Sequence, residues 1–210
     1  MSRPGFRATT LPAHLDLDDQ TCYTWRKSDP ENICAHQCKR FRAAVEKLGV
    51  HSKEETMSTK QAQWAAQIRE IPAVFRMALL SDDHAIRHRP AAGAWSAVEV
   101  VGHMIDKMWI WTGRVERLMA EERPALPAYD QDALVREHDY QHADPDVLFE
   151  QLRQECERFA SLIERVPVSA LEREGVHEEV GPMTIRQCIA VPLESSPEHL
   201  KQLRAAQTLV

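Results

Sequence analysis

"GAWSAVEVVGHMIDKMWIW", residues 93–111, decides the fold. Ser96-x-x-Glu99 is a capping box: the hydroxyl and the carboxylate each satisfy an orphan amide of a first helical turn. The spacing predicts a helix from Ser96 to about Glu122, where Arg123-Pro124 and Pro127 end it. At 100° per residue, Val98, Val101, Ile105, Met108, Thr112, Val115 and Met119 form one core-facing stripe. His103 falls nearly opposite that stripe, with Glu99, Asp106, Ile110, Arg114 and Arg117, which reads as a solvated histidine on a charged face. Val100, Trp111 and Leu118 on the flank support another reading, in which the helix is covered on two sides. His103 then borders a pocket, with Glu99 and Asp106 as orienting carboxylates one turn away.

Three more helices follow from the same rules. Trp64, Ile68, Ile71, Phe75 and Leu79 keep the three-and-four spacing over residues 59–80, with Pro72 either kinking the helix or opening a second segment. Asp144-Pro145-Asp146 combines a capping aspartate, a proline at the first helical position and a negative charge at the positive dipole end. The helix it opens buries Leu148, Leu152, Phe159, Ile163 and Val166. Thr184-x-x-Gln187 is a second capping box, ahead of Ile185, Cys188, Ile189, Leu200 and Leu203. Pro192 and Pro197 fall inside this last segment, each removing an amide donor, and predict a break near residues 191–195 with a restart at Ser196. No stretch alternates with period two, so no sheet is expected. The fold class is all-α, a four-helix bundle.

Residues 1–56 read differently, as single apolar residues scattered among polar ones. They are expected to form a poorly ordered extension ahead of a bundle domain at 57–210, with Met57 as the natural start. Cys22, Cys34, His36 and Cys38 invite a zinc reading, but the spacing lacks the close pairs of structural sites and favours incidental cysteines. The net charge of −6 gives no reason to expect nucleic acid. No apolar run approaches the ~18–20 residues needed to cross a bilayer, and residues 1–10 lack the apolar middle of a signal peptide. Five cysteines without a secretory signal suit free thiols in the cytoplasm. Cys156 and Cys188, on or beside apolar faces, read as buried, inert thiols. His84 and His88, like His138 and His142, are four apart, yet a proline follows each pair within three residues; both read as helix-end or loop residues.

"PAAGAWSAVEVVGHMIDKM", "PALPAYDQDAL", "DPDVLFEQLR" and "GPMTIRQCIA", in this order and at these separations, resemble the DinB-like family of four-helix-bundle proteins over roughly residues 60–207. The resemblance implies a divalent metal, zinc or nickel, held by one histidine of the second helix and a His-x-x-x-His pair of the last. His103 matches the first of these and His199 the last, whereas Ser195 stands where the remaining histidine belongs. Glu194 or Glu198 could supply a carboxylate instead. Three classes of function stay open. The first is a metal-dependent thiol S-transferase or hydrolase, acting on a small molecule or a low-molecular-weight thiol. The second is a metal-free stress-response or ligand-binding bundle, and the third a purely structural one. A homodimer is the assembly that family behaviour and the apolar girth of the second helix allow.

Overall fold

The computed structural model describes residues 57–80 and 82–208. The expected extension, with Cys22, Cys34, His36 and Cys38, lies outside the described residues. The elements run α1 (Met57–Ala78), a short α2 (Asp83–Arg87), α3 (Ala97–Ala120), β1 (Ala125–Leu126), a short α4 (Gln131–Glu137), α5 (Pro145–Arg165), β2 (Glu174–His177), β3 (Gly181–Thr184) and α6 (Ile185–Ala206). The long helices α1, α3, α5 and α6 form the bundle. Both capping boxes are made, at Ser96 with Glu99 and at Thr184 with Gln187, and Asp144 caps α5 through the amide of Asp146.

The four helices close a ring in which α1 and α3 each pack against both α5 and α6. Sequence neighbours α1 and α3 therefore lie across a diagonal. Polar side chains fix the register at both ends of α1. Gln61, buried near its start, donates to the carbonyls of Ile163 and Val166 at 3.0 and 2.8 Å, satisfying the frayed end of α5. Gln207 accepts from the Leu80 amide at 2.6 Å and donates to the Ala78 carbonyl at 3.0 Å, tying the ends of α1 and α6 together. Accordingly α1 runs antiparallel to α5 and parallel to α6. The connections from α1 to α3 and from α5 to α6 cross the diagonals of the ring, too far for a tight turn, and they hold α2 and the strands β2 and β3.

Three expectations need correction. A sheet is present: β1 pairs parallel with β2, and β2 pairs antiparallel with β3. Strands of two to four residues are too short for alternation to register. A Cβ on Gly175 would lie 2.7 Å from the Pro124 carbonyl oxygen, so only glycine lets β2 approach the end of α3. Second, α6 is unbroken through Pro192 and Pro197. Ser195 Oγ donates to the Val191 carbonyl at 2.8 Å, and Ser196 Oγ to the Pro192 carbonyl at 2.5 Å. Each hydroxyl bonds back to the carbonyl four residues earlier in its own helix. Burial of Ile185, Cys188, Ile189 and Leu203 against α1 and α3 offsets the cost of about 3 kcal/mol per proline. Third, α3 has no solvated face in its first half: residues 97–108 are all buried, Glu99, His103, Asp106 and Lys107 included. The excess apolar girth of this helix is covered within one chain, so it no longer calls for a second copy.

Candidate metal centre

The full burial of α3 removes the reading of His103 as a solvated residue. Its ring is 1% exposed, and neither Nδ1 nor Nε2 has a hydrogen-bond partner. Burial, with His199 and Lys107 nearby, holds its pKa well below the ordinary histidine value, so the ring is neutral at pH 7. A neutral buried imidazole with both nitrogens unsatisfied is costly, and such orphans ask for an explanation.

The structure brings His199 to it. Because α6 is continuous, His199 lies in mid-helix rather than in a first turn, buried on the side facing α3. The two imidazole centroids are 4.7 Å apart, the rings crossing edge to face at 63°. On its other side His103 meets Trp95, centroid to centroid 4.7 Å. Trp95 thus covers His103 from the loop ahead of α3.

Lys107, one turn beyond His103 on α3, is also buried, and its Nζ lies 3.1 Å from His199 Nε2. On the opposite edge of the same ring, His199 Nδ1 is 3.3 Å from Gln202 Oε1. Since an amide oxygen can only accept, the proton of His199 belongs on Nδ1 and the Nε2 lone pair faces Lys107. Burial first, then the lysine charge, depresses His199 to about 3.

Glu99 and Asp106 do not orient His103. Glu99 accepts from the Ser96 amide at 2.9 Å and hydroxyl at 3.0 Å, and pairs with Arg89 through both of its oxygens. The pair lines a cleft of about 560 Å3 together with Arg87, Arg136, Asp139 and His142. Asp106 accepts from Tyr140 Oη at 2.7 Å and from His138 Nδ1 at 2.9 Å. This hydrogen bond raises the His138 pKa above its ordinary value. Glu99 is thus held by Ser96 and Arg89, and Asp106 by Tyr140 and His138 through its Oδ1, while its Oδ2 is buried without a partner.

Does this donor set fit a divalent metal? Two neutral imidazoles on facing helices, one with both nitrogens unpartnered, meet the first need of such an ion. A third protein donor is missing: among the described residues no cluster of three His, Cys, Asp or Glu side chains is placed to hold a metal. Ser195 turns its hydroxyl back to its own helix, while Glu194 and Glu198 are exposed. The residues therefore fit an ion at two positions, leaving its others to water or substrate.

Among the described residues the other histidines stay apart from this centre. His84 is exposed on α2, His88 ends that helix, His138 ends α4, and His142 is exposed and bonded to Asp139. Cys156 and Cys188 are buried; burial pushes the Cys156 thiol up, and the Cys188 thiol up to about 12, so neither is a nucleophile at neutral pH. Sequence reasoning missed two buried residues: Lys107, and His177 on β2, whose pKa is depressed to about 4. The one signal for Lys107 was its spacing of four from His103, on the same side of α3.

Comparison with known proteins agrees with this architecture. The family model described as the DinB superfamily matches residues 63–203. YfiT of Bacillus subtilis, whose name assigns it provisionally to the metal-dependent hydrolases, is 23% identical over 159 residues, 74% of this chain and 89% of its own length. A Bacillus licheniformis protein bearing the same provisional description is 23% identical over 161 residues, 75% of this chain and 92% of its own. The solved structure of the B. subtilis protein, described as a probable metal-dependent hydrolase with an unusual four-helix bundle topology, superposes with a TM-score of 0.65 at 21% identity, covering 75% of this chain and 91% of that one.

Proposed function

The chain belongs to the DinB superfamily, and from that premise we propose that it is a divalent-metal-binding hydrolase acting on a small molecule, with His103 and His199 as its protein ligands. The observation that carries this reading is the pair of buried neutral imidazoles facing each other across α3 and α6, with both nitrogens of His103 unpartnered. The names of the two Bacillus relatives support hydrolysis over the thiol transfer that the sequence resemblance also implies. Nitrogen donors suit zinc or nickel. Bound there, such an ion supplies Lewis acidity, lowering the pKa of a water or thiol it holds so that a nucleophile exists at neutral pH.

The chain's own part is positioning and exclusion of water. Burial keeps both imidazoles deprotonated, so protons do not compete for their lone pairs at neutral pH. Gln202 fixes the tautomer of His199 by accepting from Nδ1. Trp95 lies against His103 and limits solvent access from the loop side. A metal-free, ligand-binding bundle is the second reading, favoured by one contact: Lys107 holds the Nε2 side of His199.

Zinc titration by equilibrium dialysis, on protein without a histidine tag, tests the proposal. About one equivalent is expected in the parent chain, with affinity at least tenfold weaker in His103→Ala and in His199→Ala. Zinc held equally well by both variants would place the metal elsewhere and end this assignment.

A further inference from the structure

We infer that Lys107 is a built-in competitor for the metal position, so that loading the site requires its amino group to leave His199. The inference rests on the metal reading of the histidine pair. Nε2 of His199 carries the ring's available lone pair, because Nδ1 donates to Gln202. Lys107 Nζ faces that lone pair at 3.1 Å. A zinc–nitrogen bond is only about 2.0–2.1 Å long, so an ion on the same lone pair lies well inside contact distance of the lysine nitrogen. One lone pair cannot serve both.

Charge acts in the same direction as space. A protonated amine and a divalent ion repel, and in a buried setting water screens that repulsion poorly. Lys107 is 3% exposed and its field already reaches both imidazoles, disfavouring the protonated form of each. Any ion entering between His103 and His199 enters the same field. The lysine has a way out, since its four-carbon stem lets the amino group swing while the stem stays packed. His103, with both nitrogens unpartnered, is the first foothold, and His199 becomes available once Lys107 swings away.

The inference predicts that removing the amino group strengthens metal binding. Lys107→Met keeps the apolar stem, and Lys107→Gln keeps a polar tip. Each is expected to bind zinc at least tenfold more tightly than the parent chain, and adding His199→Ala to either is expected to abolish the gain. Equal or weaker binding in both variants, with the parent chain still loading through the two histidines, would overturn the competitor role and leave the metal reading intact. No histidine-dependent zinc binding in the parent chain or either variant would overturn both. A measurement on the unaltered chain stands beside these. Lys107 labelling by an amine-reactive ester is expected to rise several-fold when zinc is added, and unchanged labelling at saturating zinc would equally refute displacement.

Discussion

Acidification from pH 7 to pH 5 is expected to remove several kcal/mol of folding stability, well before the carboxylates titrate. His199 and His177 are buried and neutral, depressed from about 6.5 to about 3 and about 4 respectively, in each case mainly by burial. In the unfolded chain both take up a proton as the pH falls through 6.5. Between the unfolded and folded values the unfolded state binds more protons, so stability rises with pH there and is lost as pH falls. At about 1.36 kcal/mol per pH unit, each costs roughly 2 kcal/mol at pH 5. Together that is about 4 kcal/mol, a large share of the 5–15 kcal/mol typical of a domain. His103 acts in the same direction. His138 acts in the opposite one: raised by Asp106, it contributes stability below pH 6.5 that fades as pH rises through its folded value. Urea titrations at pH 7, 6 and 5 measure the balance. His199→Phe and His177→Phe are each expected to flatten the slope, and a parent stability that is flat over this range would refute the burial argument.

Gly102→Ala carries the second large effect. In an ordinary helix interior this change stabilises by up to about 1 kcal/mol. Here the added Cβ would lie 2.1 Å from Cγ of Tyr140, with two further ring carbons at 2.2 and 2.6 Å. The ring cannot bend, so the whole side chain must move off α3. Its hydroxyl then loses Asp106, a carboxylate buried one turn from His103, and the turn at Tyr140–His142 shifts with it. Overpacking costs about 1–3 kcal/mol and a buried carboxylate losing a donor a comparable amount, so a loss of about 3 kcal/mol or more is expected. Gly113→Ala is the control on the same helix, because nothing lies within 4 Å of its Cβ; it is expected to be neutral or stabilising. Tyr140→Ala added to Gly102→Ala is expected to restore part of the loss, as coupled neighbours do. Denaturation midpoints showing Gly102→Ala as stable as the parent chain would contradict the packing described here.

What the sequence made legible was local chemistry. Ser96 with Glu99, Thr184 with Gln187, and Asp144-Pro145 mark the starts of α3, α6 and α5, because caps act over three or four residues. Failures came where distant parts of the chain decide. His103 reads as solvated on a wheel because the wheel shows one helix, and only its neighbours reveal that residues 97–108 are covered all round. Glu99 and Asp106 look free to orient His103 until Arg89, Tyr140 and His138 arrive from other segments. Pro192 and Pro197 break an isolated helix, but α6 is held from both sides. The meeting of His103 with His199 was implied only by family resemblance. The spacing of four puts Lys107 on the side of α3 that carries His103, but only the packing of α6 brings it to His199.

The most direct test of the histidine pair as a metal centre is anomalous scattering at the zinc absorption edge from crystals of the unaltered chain grown with zinc. A single strong peak within bonding distance of one nitrogen from each of His103 and His199, with Lys107 Nζ moved off Nε2, is the predicted result. Density showing Lys107 still on His199, with zinc at surface carboxylates or nowhere, would contradict it.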